Sequence, residues 1–368
     1  MTIADDRVEP PRIAQPDDLR SPLSLPGSRY PTGWFQVGWS DDLPPGEMRL
    51  VHYFGQDLLL WRAESGVFHV SDPYCLHLGA NIGVRGTVEG EEIVCPWHGW
   101  HWDGDGRNTL IPYSAQKCKP NLQIKTWPVQ EWYGCLVVWH DEAGGDPSWQ
   151  PAAIPDLEDG SRYPFTAELR HSWQIVAHPQ LVMENGVDAA HVHYIHGAGE
   201  VPVIKEVDVQ GHVWRTEVSV TYGAGKGSTW LTPDGAIEAT MSFDLWGIGL
   251  GLANWPDELL GGRMITNPTP IDDTHTELWW CMTTTRTDGD DAPSKAAMKM
   301  IEHQRVTVEQ DFFTWANMKV LHTPNFAPEE AKYYAAIRRW ARQFYPGLEQ
   351  NLEGIRSPGA NGNGDGGR

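Results

Sequence analysis

A chain of 368 residues, 40% hydrophobic and 21% charged with 19 Trp, has the size and composition of a globular protein with two cores. Its formal net charge of -21 argues against nucleic acid as a partner, because phosphate neutralisation needs clustered Lys and Arg, and suits docking of a positively charged protein surface instead. Five cysteines in so long a chain do not make a disulfide framework, the start lacks the basic and apolar run of a signal peptide, and no apolar run reaches the length of about 18 residues that a membrane span needs, so reduced thiols, no membrane span and a cytoplasmic location are expected.

The acidic, proline-rich segment 1–29 is expected to be flexible. From Gly33 to about Trp139 short strands alternate with turns: "MRLVHYF", "DLLLWR", "GVFHVSD", "EEIVCPW", "NLQIKTW" and "CLVVWH" are separated by clusters such as "DGDG" at 103–106. That predicts an all-β unit over 30–142, closed by the Pro- and Gly-rich stretch 141–155. A second unit, 143–354, is expected to hold a helix from Leu181 to about His196, a strand-rich stretch from Val201 to Thr287, a long helix from Ala292 to about Val320, and a further helix in "EEAKYYAAIRRWARQFY". The fold class is therefore α+β. The tail, 355–368, has nothing to bury and is expected to be disordered. "GAGKGST" at 223–229 fails the phosphate-loop pattern, since Gly227 follows Lys226, and reads as a flexible turn.

Two motifs carry chemistry. "CLHLGA" offers Cys75 and His77, and "CPWHGW" offers Cys95 and His98, each pair expected at the tip of a β-hairpin. Two thiolates and two imidazoles make a structural zinc site or a Rieske [2Fe-2S] cluster, in which the cysteines hold one iron and the histidines the other. One Cys and one His on each loop, with Gly79 and Gly99 giving backbone amides room near the sulfurs, favours the cluster. The respiratory Rieske proteins add a disulfide-forming cysteine to each loop. Ala80 and Trp97 stand in those places here and Trp100 carries no hydroxyl, so a low-potential electron donor is expected.

The second motif is "ENGVDAAHVHYIH", residues 184–196, with the spacing Asp188-x2-His191-x4-His196. On an ideal helix five residues leave the two histidines about 140° apart, so they share a metal only if the helix ends or widens, for which a π-type turn is the expected device. Two imidazoles and a carboxylate form the facial triad of non-haem Fe(II) oxygenases. Asp311 is the expected carboxylate, because it lies on the apolar stripe of Val308, Phe312 and Trp315, where an unpaired charge is costly. Glu309, expected to be solvated, Glu302 and Asp188 are its rivals.

With "VCPWHGWHWDGDGRNTLIPYS", "NGVDAAHVHYIH", "EQDFFTW" and "IRRWARQFY" considered together, the chain resembles the Rieske non-haem iron oxygenases, and among them the oxygenase component of 3-ketosteroid 9α-hydroxylases. The resemblance covers most of 30–345. It implies a Rieske domain over 30–142 and a helix-grip catalytic domain with an antiparallel sheet over 143–354. It further implies a [2Fe-2S] cluster on Cys75, His77, Cys95 and His98, mononuclear Fe(II) on His191, His196 and Asp311, and Asp188 as the carboxylate bridging the two sites of neighbouring subunits in a head-to-tail homotrimer. The reaction it implies is O2-dependent hydroxylation of a large, steroid-like lipophile, with electrons from an NAD(P)H-dependent flavin and iron-sulfur reductase. Desaturation, N-oxygenation or oxidative cyclisation of a natural-product or aromatic scaffold is the alternative, and a simple electron carrier is disfavoured by the triad. Trp246, Ile248, Leu250, Leu252 and Trp255 in "MSFDLWGIGLGLANWP", with Trp230, Trp279 and Trp280, are apolar enough to line a pocket, although a sheet core accounts for such residues more commonly.

Overall fold

The computed structural model describes residues 30–345 except 117, 120, 224–230, 233, 288–290, 319–320 and 322–323. The expectations for 1–29, the tail, Trp230 and most of "GAGKGST" fall outside these residues.

The first unit is built from β1 (Gly33–Trp39), β2 (Met48–Tyr53), β3 (Gln56–Arg62), β4 (Phe68–Ser71), β5 (Thr87–Glu89), β6 (Glu92–Val94), β7 (His101–Asp103), β8 (Asn108–Leu110), β9 (Thr126–Trp127), β10 (Val129–Trp132) and β11 (Cys135–His140). They form antiparallel sheets in the orders β2-β3-β4-β9, β5-β6-β7-β8 and β1-β11-β10. β11 lies between two partners and is buried at all six positions, hence its unbroken apolar run "CLVVWH" rather than alternation. Each of the six expected strand segments contains a strand. Further strands lie outside those segments: β1, whose run is interrupted by Gly38, and the short strands β5, β7, β8 and β10.

The second unit holds α1 (Pro155–Glu158), β12 (Arg170–Val176), α2 (Pro179–Glu184), α3 (Ala189–Tyr194), β13 (Val203–Gln210), β14 (Val213–Tyr222), β15 (Ile237–Trp246), β16 (Leu250–Asn254), β17 (Arg263–Pro270), β18 (His275–Thr283), α4 (Lys295–Asn317) and α5 (Pro328–Ala341). β13 to β18 run as an antiparallel meander, and β12 joins at the β18 edge to complete a seven-stranded sheet. α4 starts after Ser294, whose hydroxyl accepts from the Ala297 amide, three residues later than expected. No helix among the described residues is long and apolar enough to cross a membrane.

The helix expected from Leu181 to His196 is broken. α2 gives way to a 3-10 turn at Asn185–Val187, and Asp188 leaves helical geometry at φ -91 and ψ 84. Gly186 weakens the helix at this point, while the Asp188 carboxylate accepts from the His191 amide at 3.2 Å and starts α3 afresh. α3 then stops at Tyr194, before His196. The histidines are therefore brought together by the end of a helix and not by a π-type widening.

One apolar core spans both units. Phe35, Val37, Leu136 and Val138 share it with Trp246, Leu250, Leu252, Ile265 and Trp279, and Trp39 meets Trp279 edge-on at 5.7 Å. Within this core a polar knot is wholly buried: Asn267 Nδ2 donates to Gln36 Oε1 at 2.9 Å, Thr269 Oγ1 donates to the Gln36 carbonyl at 2.5 Å, and the Gly251 amide donates to Asn267 Oδ1 at 3.1 Å. Ile248 packs in a core against α5, and Trp255 and Trp280 pack in a core against α4. The described residues of the pocket candidates are thus sheet core.

Candidate metal centres

The two Cys-His loops are built alike. The Cys75 amide donates to the Ala80 carbonyl and the Gly79 amide to the Cys75 carbonyl; the Cys95 amide donates to Trp100 and the Gly99 amide to Cys95, all at 2.9–3.0 Å. Gly79 at φ 77 and Gly99 at φ 67 occupy the left-handed region that lets each loop turn back on its cysteine. The glycine amides therefore close the loops, and the amide that faces the Cys75 sulfur is that of His77. The Cys95 loop joins the paired strands β6 and β7, as a hairpin tip should. The Cys75 loop is instead closed by a single bridge between Tyr74 and Asn81.

Cys75 and Cys95 are buried at 1% and 3% exposure, while His77 and His98 are half-buried. Burial pushes the Cys75 thiol up to about 11, and the neighbouring Cys95 thiol adds to the shift. His77 and His98 meet edge-on at 4.6 Å, with Trp100 stacked on His77 at 4.6 Å and Trp97 on His98 at 4.8 Å.

At the second centre the rings of His191 and His196 lie 5.0 Å apart. Their donor atoms and an oxygen of Asp311 all fall within 4.8 Å of one another, which holds for no other group of three or more His, Cys, Asp or Glu among the described residues. His191 Nδ1 donates to the Asp188 carbonyl at 2.5 Å, and His196 Nδ1 lies 3.0 Å from Gln310 Oε1. Both rings are thus committed at Nδ1, leaving Nε2 as the free donor. His196 Nε2 stands 3.5 Å from Asp311 Oδ1, and Asn185 Nδ2 donates to Asp311 Oδ2 at 2.9 Å.

Burial raises Asp311 to about 6, partly offset by His191 and by the Asn185 amide. Burial also works against charge on His191, but the Asp188 carboxylate outweighs it and raises the imidazole. At Asp188 the upward pressure of burial is overcome by hydrogen bonds from His191 and from the Tyr334 hydroxyl on α5, which hold it below the usual carboxylate range. Of the rival carboxylates, Glu309 accepts from Trp173 Nε1 at 3.1 Å and pairs with Arg305, so it is held by partners where solvation was expected. Glu302 pairs with Arg305 at 2.6 Å on the exposed side of α4. Neither belongs to the close group.

The donor chemistry fits both expected groups. An inner thiol pair and an outer imidazole pair suit a cluster of two irons. Gln310 and Asn185 lie beside motif residues and were open to inference from the sequence. Tyr334 comes from a distant helix and left no local signal.

Residues 33–128 match the Rieske [2Fe-2S] domain family, and residues 138–345 match the 3-ketosteroid 9alpha-hydroxylase C-terminal domain family. A probable 3-ketosteroid-9-alpha-monooxygenase oxygenase component from Rhodococcus rhodochrous is 30% identical over 89% of this chain and 83% of its own length. A cholesterol 7-desaturase from Xenopus laevis is 28% identical over 86% of this chain and 72% of its own. Among solved structures, dicamba monooxygenase bound to 3,6-dichlorosalicylic acid superposes with a TM-score of 0.65 at 17% identity, covering 88% of this chain and 98% of that one, a likeness of fold.

Proposed function

The chain belongs to the Rieske non-haem iron oxygenases, in the branch with a 3-ketosteroid 9α-hydroxylase type catalytic domain, and from that premise we propose that it hydroxylates a large, steroid-like lipophile. It is an oxidoreductase that carries a [2Fe-2S] cluster and non-haem iron, and the assignment of ligands to each is part of the proposal. Cys75, His77, Cys95 and His98 would hold the cluster; His191, His196 and Asp311 would hold the iron. When bound, these groups supply single electrons and the activation of O2. The convergence of His191, His196 and Asp311, with His191 and Asp311 lining a cleft, carries the reading.

The cleft holds about 230 Å³, and Leu181, Ile195, Trp315, Met318, Leu321 and Phe326 give it an apolar wall. That is below the range of about 300–1,000 Å³ usual for whole ligands, so it suits one end of a rigid fused-ring molecule. Apolar burial would supply affinity, and polar lining residues such as Asn185 and Thr314 would fix the orientation of the substrate. Asp188 would join the His191 ring of one subunit to a cluster histidine of the next in a head-to-tail homotrimer, a closed heterologous ring. An NAD(P)H-dependent flavin and iron-sulfur reductase would supply the electrons, and the protein would work in the cytoplasm. The exposed apolar residues Leu76, Leu78 and Trp97 beside the cluster histidines support docking there.

The desaturase relatives support a second outcome on the same substrate class: removal of two hydrogens in place of oxygen insertion. NAD(P)H-dependent O2 uptake with a compatible reductase decides between them, comparing 4-androstene-3,17-dione, a sterol, a small arene and a bulky nitrogen heterocycle. A steroid product heavier by one oxygen is expected. A product lighter by two hydrogens selects desaturation, and turnover of the heterocycle alone overturns the steroid reading.

A further inference from the structure

We propose that Asn185 is a positioning residue that restricts Asp311 to one metal-binding oxygen. This rests on the reading of His191, His196 and Asp311 as iron ligands. A carboxylate can offer both oxygens to a cation by turning about its Cβ–Cγ bond, and an iron chelated in that way loses an open position. Here the two oxygens of Asp311 are inequivalent: Oδ2 accepts from Asn185 Nδ2 at 2.9 Å, while Oδ1 faces His196 Nε2 at 3.5 Å. Asp311 is 7% exposed, so a turn of its carboxylate would give up the Asn185 hydrogen bond with little water to replace it on the carboxylate.

The placement of Asn185 makes the restraint firm. It opens the 3-10 turn Asn185–Val187, and its carbonyl accepts from the Asp188 amide at 3.2 Å, so the segment that begins α3 also fixes the amide against α4. The donor is neutral. A Lys or Arg in its place would pair with the carboxylate and compete with a cation for its charge, whereas an amide occupies one oxygen and leaves the charge available.

The test uses Asn185→Leu, similar in size but without a donor, with Asn185→Ala as the second variant and Asp311→Ala alongside. Each is purified with its cluster, folding is checked by circular dichroism and cluster absorption, and the mononuclear site is loaded with Fe(II) for affinity measurements or Co(II) for electron paramagnetic resonance with the cluster oxidised. A residue that only supports the site should, when removed, weaken metal binding by about 10- to 100-fold. Restriction to one oxygen predicts the opposite: metal affinity equal to the parent or tighter, a Co(II) signal shifted toward higher coordination number, and turnover lowered by about tenfold or more. An unchanged Co(II) signal, or weakened metal binding, in whichever variant folds overturns the proposal. If Asp311→Ala keeps its mononuclear metal, the ligand assignment itself has failed, and that result is read independently of Asn185.

Discussion

Asp311 stands on the buried side of α4 with its charge opposed by burial and supported by His191 and Asn185, a costly arrangement that a bound cation would relieve. Asp311→Ala is expected to lose the mononuclear iron and all turnover while the optical spectrum of the cluster persists; metal analysis giving full iron content would reassign the ligand. Asp188 acts from beside the group, so Asp188→Asn should keep iron near the parent level and a reducible cluster, yet slow single-turnover product formation by about 100-fold or more. Loss of iron in proportion to activity would make Asp188 a ligand. At this scale the sequence was informative because motif spacing restricts donors on short loops: two residues between Asp188 and His191, and one or two between each Cys and its His. Asp311 was inferred from an apolar stripe, which indicates a direction but not a partner. The Tyr334 hydroxyl on Asp188 depends on tertiary packing alone.

Among the elements, the break between α2 and α3 shows what periodicity conceals. An apolar pattern over Leu181–His196 fits one helix, and the competing signals, Gly186 and the capping capacity of Asp188, are local and weak until packing selects them. The short strands β5, β7 and β8, three residues each, are fixed by pairing with neighbours and have no pattern long enough to read. The start of α2 gives a pH test. His178 caps it by accepting from the Gln180 amide at 3.1 Å, and burial lowers its imidazole from 6.5 to about 4. Between those values the unfolded chain binds a proton that the native state refuses, so stability falls as pH drops from 6.5 toward 4, by about 1.4 kcal/mol per unit from this group. Asn is a good cap and does not titrate, so His178→Asn should flatten denaturant midpoints across that window; an unchanged slope would remove His178 as the cause.

For the whole molecule, separate placement of the two centres makes assembly testable by complementation. Cys95→Ser, without a cluster, and Asp311→Ala, without iron, are each expected to be inactive alone. Co-expressed, random mixing would set an intact cluster beside an intact iron at about one junction in four, restoring activity in that proportion. Mixed oligomers with no activity would mean that electrons pass within one chain. The overall plan was readable because its two motifs are distinctive and its last two helices are long, but the shared core was not, since strand patterns reveal which faces are buried and not what covers them. That core bears on engineering. Gln36, Asn267 and Thr269 interlock where front and rear halves meet, and Gln36 Oε1 and the Gln36 carbonyl each accept from a donor on the other side. A front half lacking the matching residues would leave orphaned amides in a dry interior, so a functional chimera has to exchange the interlocking residues together with the donor loops.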